Sequence, residues 1–212
     1  AVIGGSRLTN EAQYVWSKIT KGIIGTDNID AQLGDGFSPE VLLSLHPTTI
    51  DETCKQGGVI ILLGGDPKEE LGALYLRLRH AIVQDQCKLI ELTPTKTGLS
   101  KLATHSIRVP PGKTSEAVKA LSGEPSEFED DILKELLEVG KIIKKSDSVS
   151  VLLGRTSLAE TSSIVEEGAI ILQEYLPKAA FLPLLRRGNI NGAIDMGLSP
   201  GLLPGRCNLE EG

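Results

Sequence analysis

One pattern recurs three times in this sequence: a short aliphatic run, one or two glycines, a polar pair, and then a segment with helical periodicity. The copies are residues 2–7 (VIGGSR), 61–67 (ILLGGDP) and 151–157 (VLLGRTS). An aliphatic run without alternating polar residues is typical of a strand that is buried on both faces. Strands that lead through glycine into helices, repeated along a chain, predict a parallel sheet covered by helices.

We therefore predict the α/β class, with a three-layer, Rossmann-like fold whose twisted sheet is mostly parallel and carries helices on both faces. Central strands are expected near residues 1–3, 59–63, 88–92 and 149–153, with short strands at 106–109 and 179–182. Helices are expected at residues 9–24, 67–83 and 158–175 and within 122–148. The first helix carries its apolar residues on one side, as an amphipathic helix does; they are Ala12, Val15, Trp16, Ile19 and Ile23.

The length of 212 residues suits one large domain or two small ones. We expect an α/β domain over residues 1–187, with 1–112 and 113–187 as two candidate subdomains. Residues 188–212 are rich in glycine and proline, so this tail is expected to pack on a neighbouring domain or to be disordered. The chain opens in an apolar run and its one methionine is Met196, which favours a piece of a longer polypeptide.

Charge and composition exclude several classes of partner. With 22 basic and 28 acidic residues the formal net charge is -6, whereas nucleic-acid binding requires a basic surface. No apolar stretch approaches the ~20 residues of a membrane-spanning helix. We therefore expect neither nucleic acid as a partner nor direct membrane insertion. The three cysteines form no CxxC pair, and we expect them to lie reduced in or near the core.

The glycine phrases are also the candidate binding sites. Open parallel sheets bind ligands beyond the carboxyl ends of their strands, so nucleotide binding is one interpretation of these loops. None of them is a GxGxxG or a Walker A sequence, and acidic residues stand at the helix starts, namely Glu11, Glu69, Glu70 and Glu160. Arg7 and Arg155 could reach an anion. The alternative interpretation is that the glycines serve only tight turns, and spacing alone indicates no catalytic site.

Several segments resemble the molybdopterin oxidoreductase superfamily: residues 4–11 with 25–30, 63–67, 76–79, 92–97, and 187–197 with 204–205. Residues 63–67 (LGGDP) are similar to the superfamily's Gly-Ser-Asn-Pro loop at a strand end. Residues 92–97 (LTPTKT) stand where an Asp-Pro-Arg-x-Thr phrase is usual. The segment 187–197 resembles the respiratory complex I branch, that is, the large iron–sulfur subunit of NADH-quinone oxidoreductases. The implied fold is the formate dehydrogenase-like α/β domain.

The resemblance also implies a binding site. In cofactor-bearing members of the superfamily, two strand-end loops hold the guanosine part of a molybdopterin guanine dinucleotide. The matching positions in this chain are Gly64, Gly65, Asp66, Pro67, Pro94, Thr95 and Thr97. Two positions depart from the pattern, since Asp66 replaces an asparagine and Thr93 replaces an aspartate. A threonine hydroxyl accepts only weakly from a guanine or ribose donor, and the loops are therefore interpreted as vestigial.

The metal position of the formate dehydrogenase relatives is changed as well. There a cysteine or selenocysteine that follows an Asn-x-Asp phrase ligates molybdenum or tungsten, which prefers a soft ligand. Here residues 31–37 (AQLGDGF) contain no thiol, and Asp35 offers an oxygen ligand instead. We therefore expect neither a metal nor molybdopterin in this chain. The complex I branch resembles its relatives in fold while lacking the molybdenum cofactor.

The leading interpretation is a structural α/β part of the large iron–sulfur subunit of an NADH-quinone oxidoreductase, without an active site of its own. The iron–sulfur clusters would lie elsewhere in the parent protein. The expected partners are other domains of that subunit and neighbouring complex I subunits, in the cytoplasmic, peripheral arm of a membrane-bound complex. Two alternatives stay open: the cofactor-binding domain of a molybdenum or tungsten bis-pterin enzyme such as formate dehydrogenase, and a stand-alone nucleotide-binding module.

Overall fold

The computed structural model describes residues 1–31, 36–155 and 161–209. The chain divides into two compact units, unit 1 (Ala1–Pro39 with Leu185–Gly212) and unit 2 (Glu40–Leu184). The strands are β1 (Val2–Ile3), β2 (Ile29–Asp30), β3 (Val59–Leu63), β4 (Lys88–Thr93), β5 (His105–Arg108), β6 (Val149–Leu153), β7 (Ala180–Pro183), β8 (Leu202–Leu203) and β9 (Cys207–Asn208). The α-helices are α1 (Asn10–Ser17), α2 (Pro39–Ser44), α3 (Ile50–Thr53), α4 (Pro67–Glu70), α5 (Gly72–Val83), α6 (Thr114–Ser122), α7 (Asp130–Lys144), α8 (Ser162–Tyr175) and α9 (Ile190–Asp195). Asp35 and Glu160 lie outside the described residues.

Unit 2 is built on a five-stranded parallel sheet with the order β5-β4-β3-β6-β7. The central strand β3 pairs on both sides, and Ile61 stands opposite Ile90 of β4 and Val151 of β6. All five residues of β3 and all five of β6 are buried. The aliphatic runs of the second and third glycine phrases therefore form strands that are buried on both faces, as the sequence predicts.

Both faces of this sheet are covered. Ile60 and Leu62 pack in one apolar cluster with Leu74 and Leu78 of α5, while Ile61, which points to the opposite face because side chains alternate along a strand, is also fully buried. Helices α6, α7 and α8 form a packed group in which α6 contacts α7, α8 and β4. The parallel sheet flanked by helices confirms the predicted α/β class.

The strand at residues 1–3 is a correction to the predicted sheet. The first glycine phrase forms β1, which pairs with the two residues of β2 in a separate parallel sheet of unit 1. The Val2 amide donates to the Asn28 carbonyl at 2.8 Å and the Gly4 amide to the Asp30 carbonyl at 2.7 Å. Ile3 is 72% exposed. With glycines directly after two residues, this run is too short to cross the five-stranded sheet.

Two expected helices change their form, and one helix was not expected. A π-helix, Lys18–Ile24, continues α1. The helix expected over residues 67–83 is interrupted at Leu71, whose φ of -140° and ψ of 67° are not helical, and resumes as α5. Helix α6 is not among the helices that the sequence predicts; it begins shortly after the turn at residues 110–112 and ends at Gly123, which has the left-handed φ of 93°. Within the described part of the chain, no helix has the length and apolar character that crossing a membrane requires.

The segment after residue 187 is held in place by hydrogen bonds to the first thirty residues of the chain. It forms α9 and the antiparallel pair β8–β9. The Asn189 amide donates to the Ser6 carbonyl at 2.8 Å, and the Gly201 amide donates to the Asp27 carboxylate at 2.7 Å. The bounds of the two units consequently differ from the expected boundaries at residues 112 and 187.

Helix α7 lies so close to α6 that one position tolerates only glycine. A Cβ on Gly140 would lie 2.1 Å from the carbonyl oxygen of Leu121, which the backbone can relieve only by separating the two helices. We predict that Gly140→Ala lowers the free energy of unfolding by about 1–3 kcal/mol or more, measured by urea denaturation. The matched control is Gly168→Ala in α8, where the Cβ would make an ordinary contact at 3.5 Å with the Cα atom of Ser115. Equal losses of stability in the two variants would contradict the packing described.

The stability of unit 1 is expected to depend on pH through Asp27. Partial burial acts to raise the pKa of Asp27, but hydrogen bonds from Lys21 and from the Gly201 amide outweigh it and hold the pKa below its ordinary value of 3.8. A depressed pKa means that the contribution to stability is present above the unfolded-state pKa and is lost as pH falls through the folded-state pKa. We predict that Asp27→Asn destabilises unit 1 at neutral pH and that the difference from the unsubstituted protein shrinks in acid. Urea denaturation monitored at both pH values would measure this, and a difference that does not change with pH would contradict it.

Candidate functional site

A cleft of about 290 Å³ opens at the carboxyl ends of β3 and β4. It is lined by the two strand-end loops and the first turn of α4: Gly65, Asp66, Glu69, Glu70, Thr93, Pro94, Thr95, Lys96 and Thr97. Five of the seven site residues that the resemblance implies therefore line one cleft. The other two, Gly64 and Pro67, are buried and do not line it.

The conformation of the turn itself explains why residues 64 and 65 are glycines. Their φ angles are 69° and 73°, a left-handed conformation that other residues rarely adopt. The loop after β6 also comes very close, since the Gly154 amide donates to the Leu63 carbonyl at 3.0 Å. A Cβ on Gly154 would lie 3.0 Å from the carbonyl oxygen of Gly64. The turn and this close approach are sufficient to require the glycines.

Asp66 connects the two loops through its carboxylate. As the N-cap of α4 it accepts a hydrogen bond from the Lys68 amide on Oδ1 at 2.9 Å, a role for which aspartate is well suited. Its Oδ2 accepts from the amide of Gly98, in the second loop, at 3.0 Å. Both carboxylate oxygens are thus engaged by backbone amides of the protein itself.

The second loop is held by Arg108 at the end of β5. Its guanidinium donates to the hydroxyl of Thr93 at 2.8 Å, to the carbonyl of Thr95, and to the hydroxyl of Ser100 at 3.3 Å. The Thr93 hydroxyl in turn donates to the Thr95 carbonyl at 2.9 Å. Thr93, which stands where the superfamily carries an aspartate, therefore uses its hydroxyl both as donor and as acceptor within the loop.

The centre of this network is Glu91, a fully buried residue of β4. Its carboxylate accepts from the hydroxyl of Thr97 and, at 2.7 Å, from that of Ser106, and it lies 3.8 Å from the Arg108 guanidinium. A carboxylate is almost never fully buried unless it is paired and hydrogen-bonded. The sequence pattern places Glu91 in a strand and indicates no role for it. The available signal is one acidic residue inside an otherwise buried strand.

The charges of the cleft do not suit a diphosphate. Its lining contains three carboxylates, those of Asp66, Glu69 and Glu70, and one ammonium group, that of Lys96. Carboxylates at the start of a helix complement its dipole and repel an approaching anion. The residues present therefore do not fit the pyrophosphate of a pterin dinucleotide.

The remaining candidate groups do not add to this cleft. Cys54 and Cys87 are buried as expected, and burial raises the pKa of both thiols. Cys207 is exposed in β9, which corrects the expectation that it lies in or near the core; the two-residue strands of its hairpin offer no interior. Across the described ranges, no three His, Cys, Asp or Glu side chains come together as a set of metal ligands.

The buried network predicts a large effect of removing its carboxylate. Glu91→Ala leaves the hydroxyls of Thr97 and Ser106 without their acceptor and the Arg108 guanidinium without its counter-charge. We expect a loss of about 3 kcal/mol in the free energy of unfolding, measured by chemical denaturation. The matched control is Glu69→Ala, an exposed carboxylate of the same cleft, for which we expect little change. Similar values for both variants would show that the network does not stabilise the protein.

Comparison with known proteins supports the resemblance. The chain is 26% identical over 211 residues to a subunit of the NADH-quinone oxidoreductase of Mycobacterium bovis, covering 96% of this chain and 24% of that protein. It is 24% identical over 255 residues to the putative formate dehydrogenase YrhE of Bacillus subtilis, covering 99% of this chain and 26% of that protein. The chain thus spans about a quarter of the length of these curated relatives. No family model matches it.

A solved structure supports the fold. A chain of the formyltransferase/hydrolase complex FhcABCD of Methylorubrum extorquens, solved in complex with methylofuran, superposes on this protein with a TM-score of 0.60 at 14% identity. The superposition covers 97% of this chain and 60% of the chain from the complex. At this identity the likeness concerns the α/β fold alone. Both sequence relatives carry the names of oxidoreductases. The resemblance inferred from the sequence is confirmed: over nearly its whole length, the chain is similar to part of an NADH-quinone oxidoreductase subunit and of related formate dehydrogenase-like proteins of the molybdopterin oxidoreductase superfamily.

Proposed function

We propose that this chain is the structural α/β part of a large iron–sulfur subunit of the NADH-quinone oxidoreductase type and carries no redox centre of its own. The parent protein would pass electrons from NADH to quinone through iron–sulfur clusters held by its other parts. The observation that carries the proposal is the hydrogen bonding of the strand-end loops, in which Asp66, Thr93 and Thr97 bond to other groups of the protein. A ligand would have to break these bonds to use the same atoms, and a buried polar group left without a partner costs free energy.

The proposed setting is an assembly. The likeness to a subunit of an NADH-quinone oxidoreductase supports partners of two kinds, namely other domains of the same subunit and neighbouring subunits of the complex. We place the chain in the cytoplasmic, peripheral arm of such a membrane-bound complex. The acidic net charge of -6 suits protein partners better than nucleic acid.

A second candidate is the cofactor-binding domain of a molybdenum or tungsten enzyme similar to formate dehydrogenase. The cleft itself favours this candidate, because it lies beyond the carboxyl ends of two central strands, where open parallel sheets bind their ligands. The likeness to the putative formate dehydrogenase YrhE is in line with it. Against it stand the three carboxylates of the cleft and the changed residues Asp66 and Thr93.

Metal analysis separates the two candidates. In the native protein, purified with the subunits that accompany it, we expect iron and NADH–quinone reductase activity but no stoichiometric molybdenum or tungsten. Inductively coupled plasma mass spectrometry provides the measurement. One molybdenum or tungsten atom per polypeptide would overturn the structural role and establish the second candidate.

Nucleotide binding at the cleft is tested by thermal unfolding. We expect GTP and GDP at millimolar concentration to leave the unfolding midpoint unchanged, because the carboxylates of Glu69 and Glu70 oppose the phosphates. A ligand at ~100 times its Kd would add about 2.7 kcal/mol of stability, which corresponds to several degrees for a domain of this size. The matched variant is Thr95→Trp, which fills the cleft from an exposed position. A rise of several degrees that Thr95→Trp abolishes would favour a nucleotide-binding module.

A further inference from the structure

In the helical segment of unit 1, residues 10–24, polar side chains face the interior and large apolar side chains face outward. Along α1 and the π-helix, the buried side chains are polar: Gln13, Ser17 and Thr20. The large apolar side chains lie on the outside, with Val15 52%, Trp16 39%, Ile23 79% and Ile24 57% exposed. This corrects the expectation of an ordinary amphipathic helix, whose apolar stripe faces the interior of its own domain.

Hydrogen bonds to loop carbonyls fix this orientation. Gln13 Nε2 donates to the carbonyls of Gly5 at 3.3 Å and Asn189 at 3.2 Å. One turn further on, the Ser17 hydroxyl donates to the Gly197 carbonyl at 3.4 Å. Turning the apolar side inward would leave these carbonyls without their donors. The polar side of the segment is therefore bound to unit 1, and its apolar side is left facing outward.

Lys21 continues the same polar side into the π-helix. Its ammonium group donates to the Ser199 carbonyl at 2.9 Å and to the Leu202 carbonyl at 2.6 Å, and it pairs with the Asp27 carboxylate. Its side chain is only 10% exposed. Gln13, Ser17 and Lys21 thus hold the segment along its length, and a rotation about the helix axis that buried the apolar side would break their hydrogen bonds.

The outward apolar side is a concentrated patch. Of the twelve large apolar side chains that are exposed in the described residues, five lie within residues 10–24, namely Tyr14, Val15, Trp16, Ile23 and Ile24. The others are distributed over several elements, as is normal for single exposed apolar residues. Contiguous exposed apolar surface, by contrast, marks a site of interaction with another surface.

The length of the relatives bears on what could cover the patch. The chain matches its curated relatives over 96% to 99% of its own length but spans only about a quarter of theirs. In those proteins the matching region is therefore continuous with several hundred further residues. We propose that the exposed apolar side of residues 10–24 is the docking surface for another domain of the same longer polypeptide, which buries Val15, Trp16 and Ile23. This inference rests on the proposed function, since it takes the chain to be one part of a larger subunit.

A lipid surface fits the patch less well. Helices that lie on membranes carry lysine and arginine on the polar face opposite their apolar one. Here the opposite face is buried: it consists of Gln13, Ser17 and Thr20, together with Lys21, whose ammonium group is bonded within unit 1 and not available to a headgroup. On the exposed side of the segment, Lys18 holds its Nζ atom 5.4 Å from the centre of the Tyr14 ring. The patch thus offers apolar area and little charge, which suits an apolar protein surface.

Site-specific photo-cross-linking tests the proposal in the assembled protein. The substitution Ile23→p-benzoylphenylalanine places a photoreactive group on the patch, and Leu76→p-benzoylphenylalanine, at a position of unit 2 that is 62% exposed, is the matched control. We expect illumination to link position 23 to a peptide of the same polypeptide that lies outside these 212 residues, without a change in mass on a denaturing gel. Position 76 should give a yield at least about tenfold lower.

Each other outcome overturns the proposal. A band of doubled mass would identify a second copy as the occupant, a band increased by another subunit's mass would identify that subunit, and a linked lipid would identify a membrane surface. A yield at position 23 no higher than at position 76 would show that the patch is uncovered. Because the readout does not depend on the metal content, molybdenum found in the same preparation would overturn the proposed function while leaving this result interpretable.

Discussion

The burial of β3 on every side is the constraint on which the structure of unit 2 depends. All five of its residues are buried, its two edges pair with β4 and β6, and its side chains enter the apolar interior on both faces. No group on such a strand can contact a ligand. Any chemistry in unit 2 is therefore displaced to the carboxyl end of the sheet, where the chain turns through Gly64 and Gly65 into α4.

At that end, a single buried charge determines the shape of the loops. Glu91 lies in the strand beside β3, and its carboxylate is compatible with burial because two hydroxyls and a guanidinium surround it. Arg108, drawn to Glu91, also donates to Thr93 and Thr95. The loop after β4 is thereby shaped from within, and Thr97, which the resemblance would assign to a cofactor, donates its hydroxyl to Glu91 instead. The cleft therefore lies where the resemblance predicts it, but its side chains do not suit a pterin dinucleotide.

Unit 1 satisfies its polar groups in a different way. Its strands have only two residues each, so many of its backbone carbonyls lie in loops and have no sheet partner. Side chains of α1 and the π-helix supply the missing donors, and this places Gln13, Ser17 and Lys21 inside. The apolar residues of the same segment are then outside. The apolar interior of unit 1 is supplied by other elements, with Ile29, Phe37, Ile190, Ile194 and Leu198 buried.

The sequence by itself determined the elements whose signal is local. Aliphatic runs produced β3, β4 and β6 at the predicted places, even though β4 contains Glu91 and β6 contains Ser150, because most positions of a strand buried on both faces are apolar. The glycine phrase at residues 64–65 located the cleft, since only glycine adopts its left-handed turn readily.

What the tertiary structure decided depends on partners that are distant along the chain. The pairing of Glu91 with Arg108, the separation of β1 from the five-stranded sheet, and the outward direction of Trp16 each follow from which atoms are brought together in space. No periodicity along the sequence encodes those distances, because they are set by packing between elements and not by the residues of any one of them.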